Sequence, residues 1–229
     1  VVNRVINGHN FSFIVEQTRS GCYHACTVSD LFTIISHIPK EDYGDLKFII
    51  LRQPKRKEEI LSSVWGRLIY SFEFKGEYHP AIVIEALDQN RTMIWPKNLS
   101  IERQDELKRL KNDGHIITET KRNYIIENVI ENTRKTQLYR TLPHEFGHYV
   151  HFLELVERPL SGNMLHEDWE KLHQKYWQLP TVEKEAYAHQ YADNFRKALW
   201  EKSIIPFDRI IDKNELLEAG LEPNDFIIE

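Results

Sequence analysis

The sequence predicts an α+β fold in two parts, a sheet-bearing half over about residues 1–132 and a helical half over about 133–229. Three observations carry this. Short runs with apolar residues at every second position, or continuously apolar over strand length, fill the first half. From about residue 133 onward the apolar residues recur three and four apart, the period of a helix packed on one face. No repeat, low-complexity tract or long Gly/Ser/Pro linker interrupts the 229 residues, a length that buries one sizeable core, so a single domain over 1–229 is expected.

Asn10 to Glu16 reads as a strand, with Phe11, Phe13 and Val15 alternating against polar neighbours. Thr27 or Ser29 can cap a helix that carries Leu31, Ile34, Ile35 and Ile38 on one face and stops at Pro39. Leu46 to Leu51 is an apolar run of strand length. Val64–Phe74 and Ala81–Leu87 read as a hairpin whose loop lies near Gly76 to Pro80. Ile101 to Lys111 reads as a polar helix closed by Asn112-Asp113-Gly114, and His115 to Glu119 as a further strand. Tyr124 to Ile130 fits either period. A long helical segment then reaches about Glu157, where Arg158-Pro159 stops it. Met164–Gln178 reads as a helix, Pro180 breaks the chain, and Thr181 can cap a last long helix to about Lys202. Pro206 to Glu229 reads as a short helix and an extended end.

Composition narrows the function classes. Apolar residues make up 41% and charged residues 28%, which suits a globular chain, and a formal charge of −5 offers no footprint for nucleic acid or an anionic membrane. The basic run from Arg52 to Lys57 is followed at once by Glu58 and Glu59 and reads as a solvated loop or helix start. No stretch approaches the roughly 18 apolar residues of a membrane helix, and the N-terminus carries no signal-peptide pattern. Two cysteines do not make a disulfide framework, so a reducing cytoplasm is the expected location.

The chemistry concentrates at His144-Glu145-Phe146-Gly147-His148. Histidines at i and i+4 share one helix face, so both imidazoles can reach one metal ion. Zinc binds neutral imidazole and leaves a position for water, beside which Glu145 can serve as general base. The flanks Phe146, Tyr149, Val150, Phe152 and Leu153 bury such a helix on its other faces. Pro143 allows two readings: the helix begins there, or Thr133–Leu142 is a separate segment meeting it at a kink. A third ligand is needed. Glu154 lies too far along and around the helix to serve, and His151 is expected to support the site, face substrate or simply pack. The later helix offers Glu185 and Glu183. Tyr187, Ala188, Tyr191, Ala192, Phe195, Ala198 and Leu199 form its apolar stripe; Glu185 sits at the edge of that stripe and Glu183 nearly opposite, so Glu185 is favoured.

The H-E-x-x-H run, with Glu185-Ala186 following the 36 residues 149–184, resembles the gluzincin branch of the zincin metallopeptidases over residues 141 to 199. That branch includes thermolysin-like enzymes, anthrax lethal factor and the ImmA/IrrE group. The resemblance implies a zincin-like fold: an N-terminal helix and a small, twisted, mostly antiparallel sheet, then the active-site helix and a C-terminal helical half. It implies His144, His148 and Glu185 as ligands of one Zn2+, Glu145 as base, and hydrolysis of a peptide or protein substrate. Many gluzincins place an Asp four residues after the ligand glutamate. Here that position is His189, with Asp193 a turn further on as a substitute. Tyr176 is the candidate for the residue that steadies the oxyanion.

Cys22, His24 and Cys26 alternate and could share a face to bind a second metal, but three ligands in five residues without a fourth nearby favour plain packed thiols. His166-Glu167-Asp168-Trp169-Glu170 imitates the motif and lacks its second histidine. The five tryptophans are scattered and read as core or cleft packing. The competing functional class is a non-catalytic binding or regulatory module that keeps zinc for structure only.

Overall fold

The computed structural model describes residues 1–61, 65–160 and 166–227. Strands β1 (Val2–Ile6) and β2 (His9–Val15) form a hairpin. Its turn is Asn7-Gly8, both at positive φ as a tight hairpin turn requires. Next come β3 (Cys22–Tyr23), α1 (Val28–Ile35), β4 (Phe48–Arg52), α2 (Arg56–Leu61), β5 (Gly66–Phe74), β6 (Glu77–Glu85), β7 (Leu87–Asp88) and β8 (Thr92–Pro96). They are followed by α3 (Ile101–Asn112), β9 (Ile117–Glu119), β10 (Asn123–Glu127), α4 (Ile130–Thr136), α5 (Leu142–Phe152), α6 (His166–Gln178), α7 (Thr181–Glu201) and α8 (Lys213–Glu218).

The α+β class is as expected; the sheet differs from the expectation. Five strands stand in the order β1-β2-β4-β6-β5, with β2, β4 and β6 parallel to one another and only the outer pairs β1/β2 and β5/β6 antiparallel. The sheet is therefore mixed, not mostly antiparallel, and two of its strands precede the first helix. The cause is local. A parallel neighbour requires a crossover, and α1 with the segment after it carries the chain from β2 to β4. Central parallel strands are buried on both faces, which explains why Phe48–Leu51 is continuously apolar. One face, with Phe11, Phe13, Ile49, Leu51, Ile82 and Ile84, packs on α1 and α5. The other gathers Phe48, Ile50, Ala81 and Val83.

The hairpin β5/β6 turns at Lys75-Gly76, so Pro80 lies inside β6 and not in the loop. Val64, the expected start of its first strand, lies outside the described residues, as do Met164 and Leu165 before α6 and the last two residues of the tail. The stretch Tyr124–Ile130 divides: β10 takes its first part and Ile130 opens α4. β8, β10 and β9 form a small antiparallel sheet against α3. Thr27 caps α1, with Asp30 returning the bond in a capping box. Among the described residues no helix is long and apolar enough to cross a membrane.

Asp30 does more than cap. Its fully buried carboxylate takes a two-pronged pair from Arg134 of α4 (2.7 and 2.9 Å) and the Ile210 N–H (3.0 Å), fastening α1, α4 and the segment before α8 together. Removing one partner leaves the other charge stranded in the interior, which typically costs about 3–5 kcal/mol. Arg134→Met is expected to lower unfolding free energy by that order in a urea titration. A loss under about 1 kcal/mol would mean that the buried pair does not hold these elements.

Candidate metal centre

Pro143 is resolved by a change of helical pitch. α4 runs into a π-helical turn, Gln137–Thr141, in which the Leu142 N–H reaches the Gln137 carbonyl, and α5 starts immediately after it. Proline cannot donate to the carbonyl four residues back and its ring crowds that carbonyl, so a widened turn is a natural way through. The segment is one helix with a wide turn, closer to the second reading than to a fresh start. A second π turn, Leu153–Glu157, and a 3-10 turn at Arg158–Leu160 finish it where Arg158-Pro159 was expected to stop it.

α5 carries His144 and His148 one turn apart, with their Nε2 atoms 3.1 Å from each other. α7 supplies Glu185, whose Oε2 stands 3.3 Å from His144 Nε2 and whose Oε1 stands 3.4 Å from His148 Nε2. These three form the sole group of histidine, cysteine or carboxylate ligands among the described residues that could hold a metal ion. The histidines hold Glu185 well below the usual carboxylate range. The site is open to water: the Glu185 side chain is 45% exposed and each histidine side chain 15%. Glu183 is exposed and is not in the ligand group.

The close approach of α5 and α7 depends on Gly147 and Ala188. A Cβ at Gly147 would stand 2.9 Å from Ala188 Cα, 3.0 Å from its carbonyl oxygen and 3.0 Å from Tyr191 Cβ. Two of these atoms are backbone, so α7 itself would have to move. Alanine favours a helix over glycine by about 1 kcal/mol, whereas overpacking costs about 1–3 kcal/mol and displaces the helix that carries Glu185. Gly147→Ala is therefore expected to lower stability by about 1 kcal/mol net and to weaken metal binding more than tenfold. Unchanged metal affinity in a chelator titration would contradict this coupling.

Glu145 lies beneath the ligands, buried, with Oε2 accepting the Leu68 N–H at 2.7 Å. Burial raises its pKa, against the opposing pull of His144, His148 and the Leu68 N–H. β5 is the last strand of the sheet, so its outer edge borders the centre at Glu145. Tyr70, at the irregularity where β5 loses register with β6, turns its hydroxyl to Tyr176 (2.7 Å) and toward the His148 carbonyl (3.5 Å). Tyr176 is buried and reaches the same carbonyl at 3.3 Å. Neither the edge N–H of Leu68 nor Tyr70 was readable from the sequence, since a backbone donor has no residue signature and Tyr70 is far from the motif in the chain.

Other expected participants sit as follows. Among the described residues His144 Nδ1 is buried without a hydrogen-bond partner, and the His189 ring packs 4.5 Å from the His144 ring where the resemblance would place an Asp. Burial, His144 and Arg109 push His189 down to about 4, so it stands neutral. Asp193 is exposed. His151 is buried and stacks on Tyr187 at 4.3 Å. Glu154 is exposed and pairs with Arg158. Cys22 and Cys26 are buried, His24 bonds the Glu16 carbonyl, and among the described residues the three form no metal-ligand group. No protein-family model, curated protein or solved structure matches the chain.

Proposed function

We propose that this chain is a zinc-dependent metallopeptidase with a zincin-like, gluzincin-type centre: His144, His148 and Glu185 hold one Zn2+ and Glu145 is the general base. One observation carries the reading. The two Nε2 atoms stand 3.1 Å apart, close to the roughly 3.3 Å between ligand atoms of a tetrahedral zinc; each faces a different Glu185 carboxylate oxygen, at 3.3 and 3.4 Å, and one ligand atom from each of the three residues lies within 4.8 Å of the others. Two neutral imidazole nitrogens and a carboxylate are the donor set of many catalytic zinc sites. A structural site is closed by four protein ligands, so three ligands and an exposed Glu185 favour catalysis over the non-catalytic module.

When bound, zinc would polarise the peptide carbonyl and acidify water. The chain's residues then have separate tasks. Glu145 takes the proton from the attacking water and returns it to the leaving amine. The Leu68 N–H fixes one oxygen of Glu145, leaving the other free to face that water. The outer edge of β5 offers backbone groups along which an extended peptide can lie. The Tyr176 hydroxyl, to which the resemblance gives the task of steadying the oxyanion, bonds Tyr70 and the His148 carbonyl.

The purified protein is expected to carry about one zinc, lost in His144→Ala and in His148→Ala, and to cleave an unstructured protein such as casein only when metal is present. Elemental analysis and a chelator-reversible protease assay decide it. Full zinc in both variants would remove these histidines from the site.

A further inference from the structure

Beside the metal centre, Lys184 presents a cation that no carboxylate among the described residues pairs with. Its ammonium lies over two rings of α6, 5.5 Å from the Tyr176 centroid and 5.4 Å from that of Trp177. Tyr70 closes the same wall, its ring 4.9 Å from Trp177 and edge-on to it. Trp177 is a large residue left 45% exposed. The nearest ligand carboxylate, Glu185, faces His144 and His148. A cation close to the N-terminus of α7 also opposes the helix dipole, so helix stability does not account for it.

We propose that Lys184, Trp177 and Tyr70 form a carboxylate-binding subsite, so that preferred substrates carry an acidic group close to the bond cut. This rests on the reading of the centre as a peptidase and adds a substrate class to it. An ammonium has three donors, and the two ring faces leave it free to bond an anion. Held against the rings, it loses little freedom when the anion arrives. The exposed Trp177 face can cover the methylenes of a glutamate side chain or the last residue of a peptide. Leu68 meets Glu145 and Tyr70 meets Trp177, so the subsite lies two strand residues, roughly 6–7 Å, along β5 from the base. That spacing puts the carboxylate within one or two residues of the scissile bond.

The shared chemistry is a carboxylate, from an acidic side chain or a free C-terminus, and paired peptides distinguish the sources. Zinc-loaded Glu145→Gln protein is titrated with fluorescein-labelled hexapeptides that differ by Glu or Gln at each position and by a free or amidated C-terminus. Anisotropy is expected to show at least tenfold tighter binding for one carboxylate form. The preference is expected to vanish in Lys184→Met and Lys184→Gln, persist in Lys184→Arg and reverse in Lys184→Glu, all with zinc retained. No peptide bound, a preference under twofold, or one unchanged in Lys184→Met and Lys184→Gln would overturn the proposal. Cleavage of the same panel by the chain with Glu145 intact is scored separately. Selective binding without any cleavage would refute the peptidase reading and leave the subsite standing.

Discussion

Glu145→Gln is expected to cut peptide hydrolysis by about 10²–10⁴-fold, the usual contribution of a positioned general base. The substitution is nearly isosteric, and the side-chain amide oxygen can still accept the Leu68 N–H that holds Glu145 at 2.7 Å. Glu145 is not among the grouped metal ligands, so zinc content and unfolding midpoint are expected to stay as they are. Burial disfavours the charged form of Glu145, so the neutral amide brings no new desolvation cost. What the amide cannot do is take a proton from water at neutral pH. Turnover within a few-fold of the parent, with zinc still bound, would take Glu145 out of the mechanism.

The second large effect separates two glutamates on α7. Glu185→Ala removes a carboxylate that stands 3.3 and 3.4 Å from the two histidine Nε2 atoms. Loss of outer partners of metal ligands alone costs about 10–100-fold in affinity, so loss of a ligand is expected to exceed about 100-fold. Glu183→Ala changes an exposed side chain outside the ligand group and is expected to leave zinc affinity within a few-fold. A competitive chelator titration on the pair reads both values. Release by Glu183→Ala with retention by Glu185→Ala would mean that α7 meets α5 in a different phase.

The centre was legible in the sequence because it rests on helical periodicity. His144 and His148 share a face at i and i+4, and the alanine-rich stripe of α7 set the phase that brings Glu185, not Glu183, to them. The close approach that this needs is visible in the glycine and alanine themselves, Gly147 against Ala188. The π turn before Pro143 was not legible, since the extra residue per turn leaves the composition unchanged and only the proline hints at it. Nor was the parallel core of the sheet. Strand order depends on which segments meet across a crossover, and β1, β3, β7 and β8 are too short or too polar to announce themselves. The wall of Tyr70, Tyr176 and Trp177 gathers residues from β5 and α6, and no local pattern links them.

The most direct test of the account is a crystal structure of the zinc-loaded protein with anomalous scattering measured at the zinc edge. One anomalous peak is predicted about 2.0–2.2 Å from His144 Nε2, His148 Nε2 and a Glu185 carboxylate oxygen, with a fourth position open toward Glu145. A peak elsewhere in the chain, or one ligated by Glu183 in place of Glu185, would contradict it.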